Sequence, residues 1–364
     1  MCGVDRMIPI KVGCMKIHNE FAYFSEWTTG DLFRYDFTKC ELTLLYRFGF
    51  NCQRAFGDIV VTDDKVILIP FFADAIYEVD ICKRVVKGRI VVGDGSFMNA
   101  SMYAFTCGTQ VYFASIGREG IWEYSIVSRK LKYFSYTLNG EYCREDSAYY
   151  RKGFAYAEKL YLPSCRSNAI VIFDYKSKEF SEIFVGDHDD AFAGGIVHDS
   201  KMVLIPRVGN KVVIYDINVG KTEMIYLPTK NGNSPATKYN AVVPFDNKLY
   251  FIPESESVVL SVNEVYDISE VCVSGPFTSA EIRNGELVIF SPRLRAFVAY
   301  SGFDNCIEYN YCVPLEINCE YSKRAFVDYY GIGCDSDLKH TILYEDRFGN
   351  LLGYLNCIRE FKND

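Results

Sequence analysis

Histidine and tryptophan are scarce in this chain of 364 residues: four of the first, His18, His188, His198 and His340, and two of the second, Trp27 and Trp122. No two histidines stand within four residues of each other, so a zinc site would have to be assembled from distant segments, and no metal is expected. The sequence has no Gly-x-Ser-x-Gly elbow, no phosphate-cradling glycine loop and no His-Glu-x-x-His helix. The familiar signatures of hydrolases, nucleotide-binding proteins and metalloproteases are therefore missing, and no cofactor is expected. No run approaches the ~18 consecutive apolar residues of a membrane span, and Met1-Cys2-Gly3-Val4-Asp5-Arg6 lacks the apolar stretch of a secretory signal. These lacks read as a cytoplasmic protein with no membrane partner. Positive charge is also in short supply, 39 Lys and Arg against 47 Asp and Glu, a net charge of −8. Such a balance argues against nucleic acid as the main partner, because phosphate-backbone binding needs a basic face.

Apolar residues, by contrast, make up 49% of the chain and aromatics 16%, enough for a sizeable core. The 14 cysteines are irregularly spaced with no Cys-x-x-Cys pair, and they read as reduced thiols packed like small hydrophobes. A repeat is visible. A short apolar strand ending in a corner recurs as Phe21–Ser25, Val66–Pro70, Val111–Ser115, Leu160–Pro163, Val203–Pro206, Leu249–Pro253, Leu287–Ser291 and Thr341–Tyr344, at a spacing of about 45 residues. A second alternating strand follows and ends in an aspartate, as in Leu32–Asp36, Ile76–Asp80, Ile170–Asp174 and Val212–Asp216, and that aspartate begins the next turn. A third run follows, and one more short strand precedes each corner strand across a tight turn such as Phe245-Asp246-Asn247-Lys248.

Four short strands per unit of this length is the pattern of a β-propeller blade, whose faces are buried only when the ring closes. The expected fold is an all-β propeller in one domain over 1–364. Dividing the whole length by the period favours eight blades, with seven as the alternative. Met7-Ile8-Pro9-Ile10 is read as an N-terminal strand that joins the C-terminal blade and fastens the ring. The order of strands resembles kelch-type repeats and, more loosely, the streptogramin-lyase-like propellers. The kelch pattern has Gly-Gly at the corner, whereas this chain has Ile-Pro or Phe-Ser. The kelch resemblance implies a protein-binding scaffold, with sugar epimerases and oxidases as the enzymatic exceptions. The lyase-like one implies a histidine–glutamate constellation whose residues have no assigned positions here.

In such a ring the loops entering the innermost strands and the corner loops share one face, here called the top. Arg54-Ala55-Phe56 and Arg324-Ala325-Phe326 occupy the same place in their repeats, and Lys152-Gly153-Phe154 and Asp190-Ala191-Phe192 fall in equivalent positions. With Lys238-Tyr239 nearby and Asn99 in the entering loop 92–101, they outline a top-face site for an anionic or glycan-like ligand or a protein partner. Trp27, in a corner loop, is a candidate anchor. The equally weighted structural reading has these cations pairing with aspartates of neighbouring blades. The run Asp187-His188-Asp189-Asp190 lacks the spacing of a calcium loop. His188 is the candidate general base of the alternative function, a carbohydrate-active or small-molecule epimerase or lyase at the channel mouth. The molecule is expected to be a monomer.

Overall fold

The computed structural model describes residues 12–50, 54–94, 101–139, 148–228, 239–253, 258–273, 279–291, 296–300 and 306–310. They form 28 strands in seven sheets. Blade 1 comprises β1 (Val12–His18), β2 (Phe21–Glu26), β3 (Leu32–Asp36) and β4 (Glu41–Tyr46), and blade 2 β5 (Phe56–Val61), β6 (Lys65–Pro70), β7 (Ala75–Asp80) and β8 (Val85–Val91). Blade 3 comprises β9 (Ala104–Cys107), β10 (Gln110–Ala114), β11 (Gly120–Ser125) and β12 (Leu131–Ser135), and blade 4 β13 (Phe154–Tyr156), β14 (Lys159–Pro163), β15 (Ala169–Asp174) and β16 (Glu179–Phe184). Blade 5 comprises β17 (Phe192–His198), β18 (Lys201–Pro206), β19 (Lys211–Asp216) and β20 (Thr222–Tyr226), and blade 6 β21 (Tyr239–Phe245), β22 (Lys248–Pro253), β23 (Val258–Val262) and β24 (Ile268–Val273). Blade 7 comprises β25 (Ser279–Arg283), β26 (Glu286–Ser291), β27 (Ala296–Tyr300) and β28 (Cys306–Asn310). Every sheet is an antiparallel meander of four consecutive strands.

Local chemistry sets the turns. The aspartate ending the third strand accepts backbone N–H bonds from the turn it opens: Asp36 Oδ1 from Thr38, Asp80 Oδ1 from Lys83, Asp174 Oδ1 from Lys176 and Asp216 Oδ1 from Asn218, at 2.7–2.9 Å. The same hairpins then need one left-handed residue, and Cys40, Arg84, Arg129, Lys178, Gly220 and Tyr266 hold φ between +54° and +73°. The hairpins joining first to second strands carry paired left-handed residues, Ala157 and Glu158, Asp199 and Ser200, Asp246 and Asn247, as two-residue hairpins with right-handed twist require. In blades 1, 2, 5 and 6 the first strand carries a bulge near its start, between Val12 and Cys14, Phe56 and Asp58, Phe192 and Gly194, and Tyr239 and Ala241. At Gly57, inside one of them, a Cβ would lie 1.7 Å from the carbonyl oxygen of Ser101, so only glycine admits the next blade's chain that close.

The core lies between blades. Phe56, Val66 and Leu68 pack with Tyr23 and Leu32 of blade 1, and Ile67, Ile69 and Ile76 pack with Phe113, Trp122 and Tyr124 of blade 3. Similar clusters join blades 3 to 4, 4 to 5, 5 to 6 and 6 to 7. The first strands of adjacent blades meet around the axis, and β25 of blade 7 packs against β1 of blade 1. That last seam is aromatic: Phe297 stands 4.8 Å from Tyr35, 5.3 Å from Phe37 and 6.1 Å from Phe24, centroid to centroid, and Phe24 also faces Phe290. Lys16 bridges to Glu281 at 3.0 Å across it, and Arg283 and Asn284 both bind Glu20.

This seam corrects the favoured blade count. Seven blades close directly on one another and leave no place for an eighth, so the stated alternative holds. The described blades average roughly 43 residues each, and the error came from spreading the period over the whole length. The eighth corner strand, Thr341–Tyr344, and the strand at Met7-Ile8-Pro9-Ile10 lie outside the described residues. Blade 7 draws its four strands from Ser279–Asn310 alone. Phe297 is fully buried. Phe297→Ala is expected to lower unfolding stability by about 3–5 kcal/mol, the range for deleting a buried phenylalanine, as read by urea denaturation.

Candidate functional site

The top face is assembled by backbone bonds between each corner and the loop entering an inner strand. Phe71 N–H donates to Ala55 O at 2.9 Å, Cys165 N–H to Tyr149 O at 2.8 Å and Arg207 N–H to Ala191 O at 2.7 Å. Three further bonds reach back to the preceding blade's corner: Tyr149 N–H to Ile116 O, Phe192 N–H to Ser164 O, and Arg54 N–H to Trp27 O. The corners are themselves rigid. Glu26 is buried, and its Oε2 accepts from the N–H and hydroxyl groups of both Thr28 and Thr29, while Ser164 Oγ accepts the N–H groups of Arg166 and Ser167. Burial pushes the Glu26 carboxyl above its ordinary range, although the Thr28 and Thr29 bonds pull it back. Asp31 fixes the next turn by accepting the N–H groups of Phe48 and Gly49 at 2.7 and 2.9 Å.

On this frame Arg54, at φ +57°, sets its guanidinium over two rings, 5.3 Å from the centroid of Trp27 and 4.6 Å from that of Phe71. Trp27 comes from the corner of blade 1 and Phe71 from that of blade 2, so the arginine closes their seam from above. Phe72 stands beside Phe71 and is 51% exposed. A second stack lies on blade 4, where the Arg166 guanidinium sits 3.7 Å above the Tyr149 ring. Each stack contributes about 0.5–1 kcal/mol and fixes the plane in which a guanidinium presents its N–H groups.

Below lies the hub. Asp58 turns toward the next blade and accepts the N–H of Ala104 at 2.7 Å and its own Ile59 N–H at 2.8 Å. Enclosure raises its carboxyl to about 6; Lys16 and the two N–H donors oppose the rise and Glu281 adds to it. Tyr103 and Lys152 occupy the equivalent register in blades 3 and 4, and each leans onto the following blade, Tyr103 toward Gly153 and Lys152 toward Gly194. Cys14 meets Ser25 Oγ at 3.1 Å, and burial lifts its thiol to about 12, which leaves it inert. The described cysteines 14, 40, 82, 107 and 165 are all free.

The sequence-derived residues thus separate. Trp27 and Arg54 share one stack, and Lys152 joins the hub. Tyr239 is buried in the core between blades 5 and 6, edge-on to Phe251 at 5.8 Å. Asp190 is likewise buried; it accepts the N–H of Asp187 at 2.8 Å and pairs with Lys211 at 2.5 Å, so it fastens its own loop, on which His188 stands exposed. Asn99, Lys238 and Arg324 lie outside the described residues. Phe71 and Asp58 were missed in the sequence. The available signal for Asp58 was a carboxylate inside an apolar strand, two residues after Ala-Phe. Among the described residues no cluster of three His, Cys, Asp or Glu is placed to hold a metal, and no helix is long and apolar enough to cross a membrane.

No family model and no curated protein matches the chain. Solved structures do. Virginiamycin B lyase from Staphylococcus aureus superposes with a TM-score of 0.63 at 11% identity, covering 78% of this chain and 92% of that one. A streptogramin B lyase gives 0.53 at 16% identity, covering 71% and 83%. BamB from Moraxella catarrhalis gives 0.55 at 12% identity, covering 79% and 93%. At such identity the likeness is one of fold, and the chain is an all-β, seven-bladed propeller.

The Asp58 carboxyl has a testable signature. Its folded value of about 6 exceeds the ordinary 3.8, so between these values the folded state holds more proton than the unfolded one. The stability of the native chain relative to Asp58→Asn should therefore rise as pH falls from about 6 to 4 and be flat above 7. Paired thermal melts across that range read it directly.

Proposed function

We propose that this propeller is a non-catalytic recognition scaffold of the kelch-like kind, a cytoplasmic monomer that binds an acidic segment of a protein partner, or an anionic glycan-like ligand, on its top face. The observation that carries this reading is the Arg54 guanidinium held over Trp27 and Phe71, with exposed Phe72 beside it. A planar cation with its orientation fixed is suited to bidentate contact with a carboxylate, and the neighbouring ring supplies apolar contact area. Arg166 on Tyr149 offers a second such donor from another blade. Two fixed guanidinium groups from separate blades suit a ligand with more than one acidic group.

An epimerase or lyase at the channel mouth is the second reading. Asp58 is the observation in its favour, because a carboxyl titrating near 6 is matched to proton transfer near neutral pH. His188, exposed on its loop, adds nothing to that hub.

Arg54→Glu and Arg54→Lys separate the possibilities on an array of acidic peptides and glycans. Charge reversal should weaken binding at least ten-fold, as loss of a charge-assisted contact of about 1.5–3 kcal/mol implies, and lysine should restore it only in part. A melting temperature lowered by Arg54→Glu with array binding unchanged would assign the arginine to ring stability alone.

A further inference from the structure

Opposite the top face, the seam between blades 2 and 3 opens into a cleft of about 490 Å³. Its chemistry follows from a lock that several seams share. The left-handed residue of the hairpin between third and fourth strands reaches back to a glutamate of the preceding blade: Lys178 of blade 4 to Glu123, Tyr266 of blade 6 to Glu223 at 2.9 Å, and Arg129 of blade 3 to Glu78. Glu78 is fully buried and well satisfied. It accepts the Tyr124 hydroxyl at 2.6 Å on one oxygen and Arg129 Nε and Nη2, both at 3.0 Å, on the other.

The lysine that opens the second strand completes the lock in one seam and not in the other. Lys201 of blade 5 donates to the Tyr266 hydroxyl at 3.3 Å, and that hydroxyl donates to Glu223. In blade 2 the equivalent is Lys65, but its neighbour across the seam is Arg129, which has no acceptor to offer. The Lys65 ammonium forms an ion pair with Glu78 at 3.7 Å, beyond hydrogen-bond reach, and donates to no other side chain among the described residues. Its side chain is only 18% exposed. Two cations therefore flank one buried carboxylate, and both line the cleft. Apart from Asp64, the rest of the wall is neutral or apolar, including the Thr109 hydroxyl, Gly108, against which an added Cβ would meet nothing within 4 Å, and Val127, 77% exposed. Asp64, the one acid among the lining residues, is exposed, and its Oδ1 accepts the Thr62 hydroxyl.

We propose that this cleft is a binding site for a small organic oxyanion, whose oxygens take the ammonium of Lys65 and the outward N–H groups of Arg129 and whose short carbon body lies on Val127 and Gly108. The site is distinct from the top face and stands whether or not the top-face reading does. Inorganic phosphate and succinate are the probes, titrated by calorimetry at ionic strength held constant with sodium chloride. At least one should bind saturably, with phosphate the stronger if the ligand is a phosphate ester and succinate if it is a carboxylate. Lys65→Gln removes the ammonium charge, and Val127→Glu sets a negative charge at an exposed residue that is not among the hydrogen-bond partners of Glu78; each should weaken binding ten-fold or more. If Lys65→Gln does not fold, Val127→Glu alone decides. Binding of neither probe beyond chloride, or native affinity in the variants, would overturn the site.

Discussion

Everything in this molecule depends on the packing of one sheet against the next. A four-stranded meander has two faces and no core of its own, so each blade becomes stable only when neighbours cover both. The buried clusters between the sheets span two consecutive blades, a smaller one beneath the corners joins blades 2, 3 and 4, and the seam between the first and the seventh is made wholly from residues far apart in sequence. Its aromatic content is high for a physical reason. Ring closure cannot draw on chain connectivity, so it relies on large contact areas such as those of Phe24, Tyr35, Phe290 and Phe297, and on ion pairs such as Lys16 with Glu281.

Closeness at the axis governs the rest of the design. First strands converge there, and Gly57 and Gly194 stand where a side chain would strike the adjacent strand or its lysine. The bulge beside Gly57 rotates Asp58 so that its carboxylate caps an N–H of the next blade instead of meeting open water. The carboxyl is kept ionised by those bonds and by Lys16, against the cost of enclosure, and its displaced titration is the balance of the two. Arg54 solves the corresponding problem at the rim, covering two aromatic rings that the corners lift toward solvent.

Much of the blade was legible because its signals are local. Asp36, Asp80, Asp174 and Asp216 end their strands as expected and accept the bonds that form the turns. The corner strands at Val66–Pro70 and Val203–Pro206 fall inside β6 and β18. In blade 1 the corner strand runs one residue beyond the sequence reading, to Glu26, and in blade 3 it stops one residue short, at Ala114, because strand alternation does not fix where pairing ends. The count of blades was not legible from length, since only packing of β25 on β1 states where the ring closes. Arg54 was found through its repeat position, but its partner Phe71 belongs to another repeat, and no local pattern joins them. Asp190 shared that position and serves loop closure instead, and Tyr239, placed near it, stands in the register of Phe56 and serves packing, because equivalence in a repeat transfers backbone geometry and not surroundings.

The seams also explain where chemical variety can enter such a ring. Within a blade the backbone ladder pairs the strands, and the polar groups its strands enclose, such as Asp58 and Glu78, turn to the next blade for partners. Between blades, side chains from two independent hairpins meet, so a change in one alters the chemistry of both. The left-handed hairpin position shows this plainly. Filled by glycine at 220 it reaches no neighbour, filled by tyrosine at 266 it accepts from Lys201 and donates to Glu223, and filled by arginine at 129 it binds Glu78 while leaving Lys65 ion-paired there without a hydrogen bond. The backbone requirement is the same in all three cases, a positive φ that costs a non-glycine residue about 1–2 kcal/mol. Where Lys178, Tyr266 and Arg129 occupy that position despite the cost, their contacts across the seam offset it, and they decide whether the seam is sealed or holds a charged cleft.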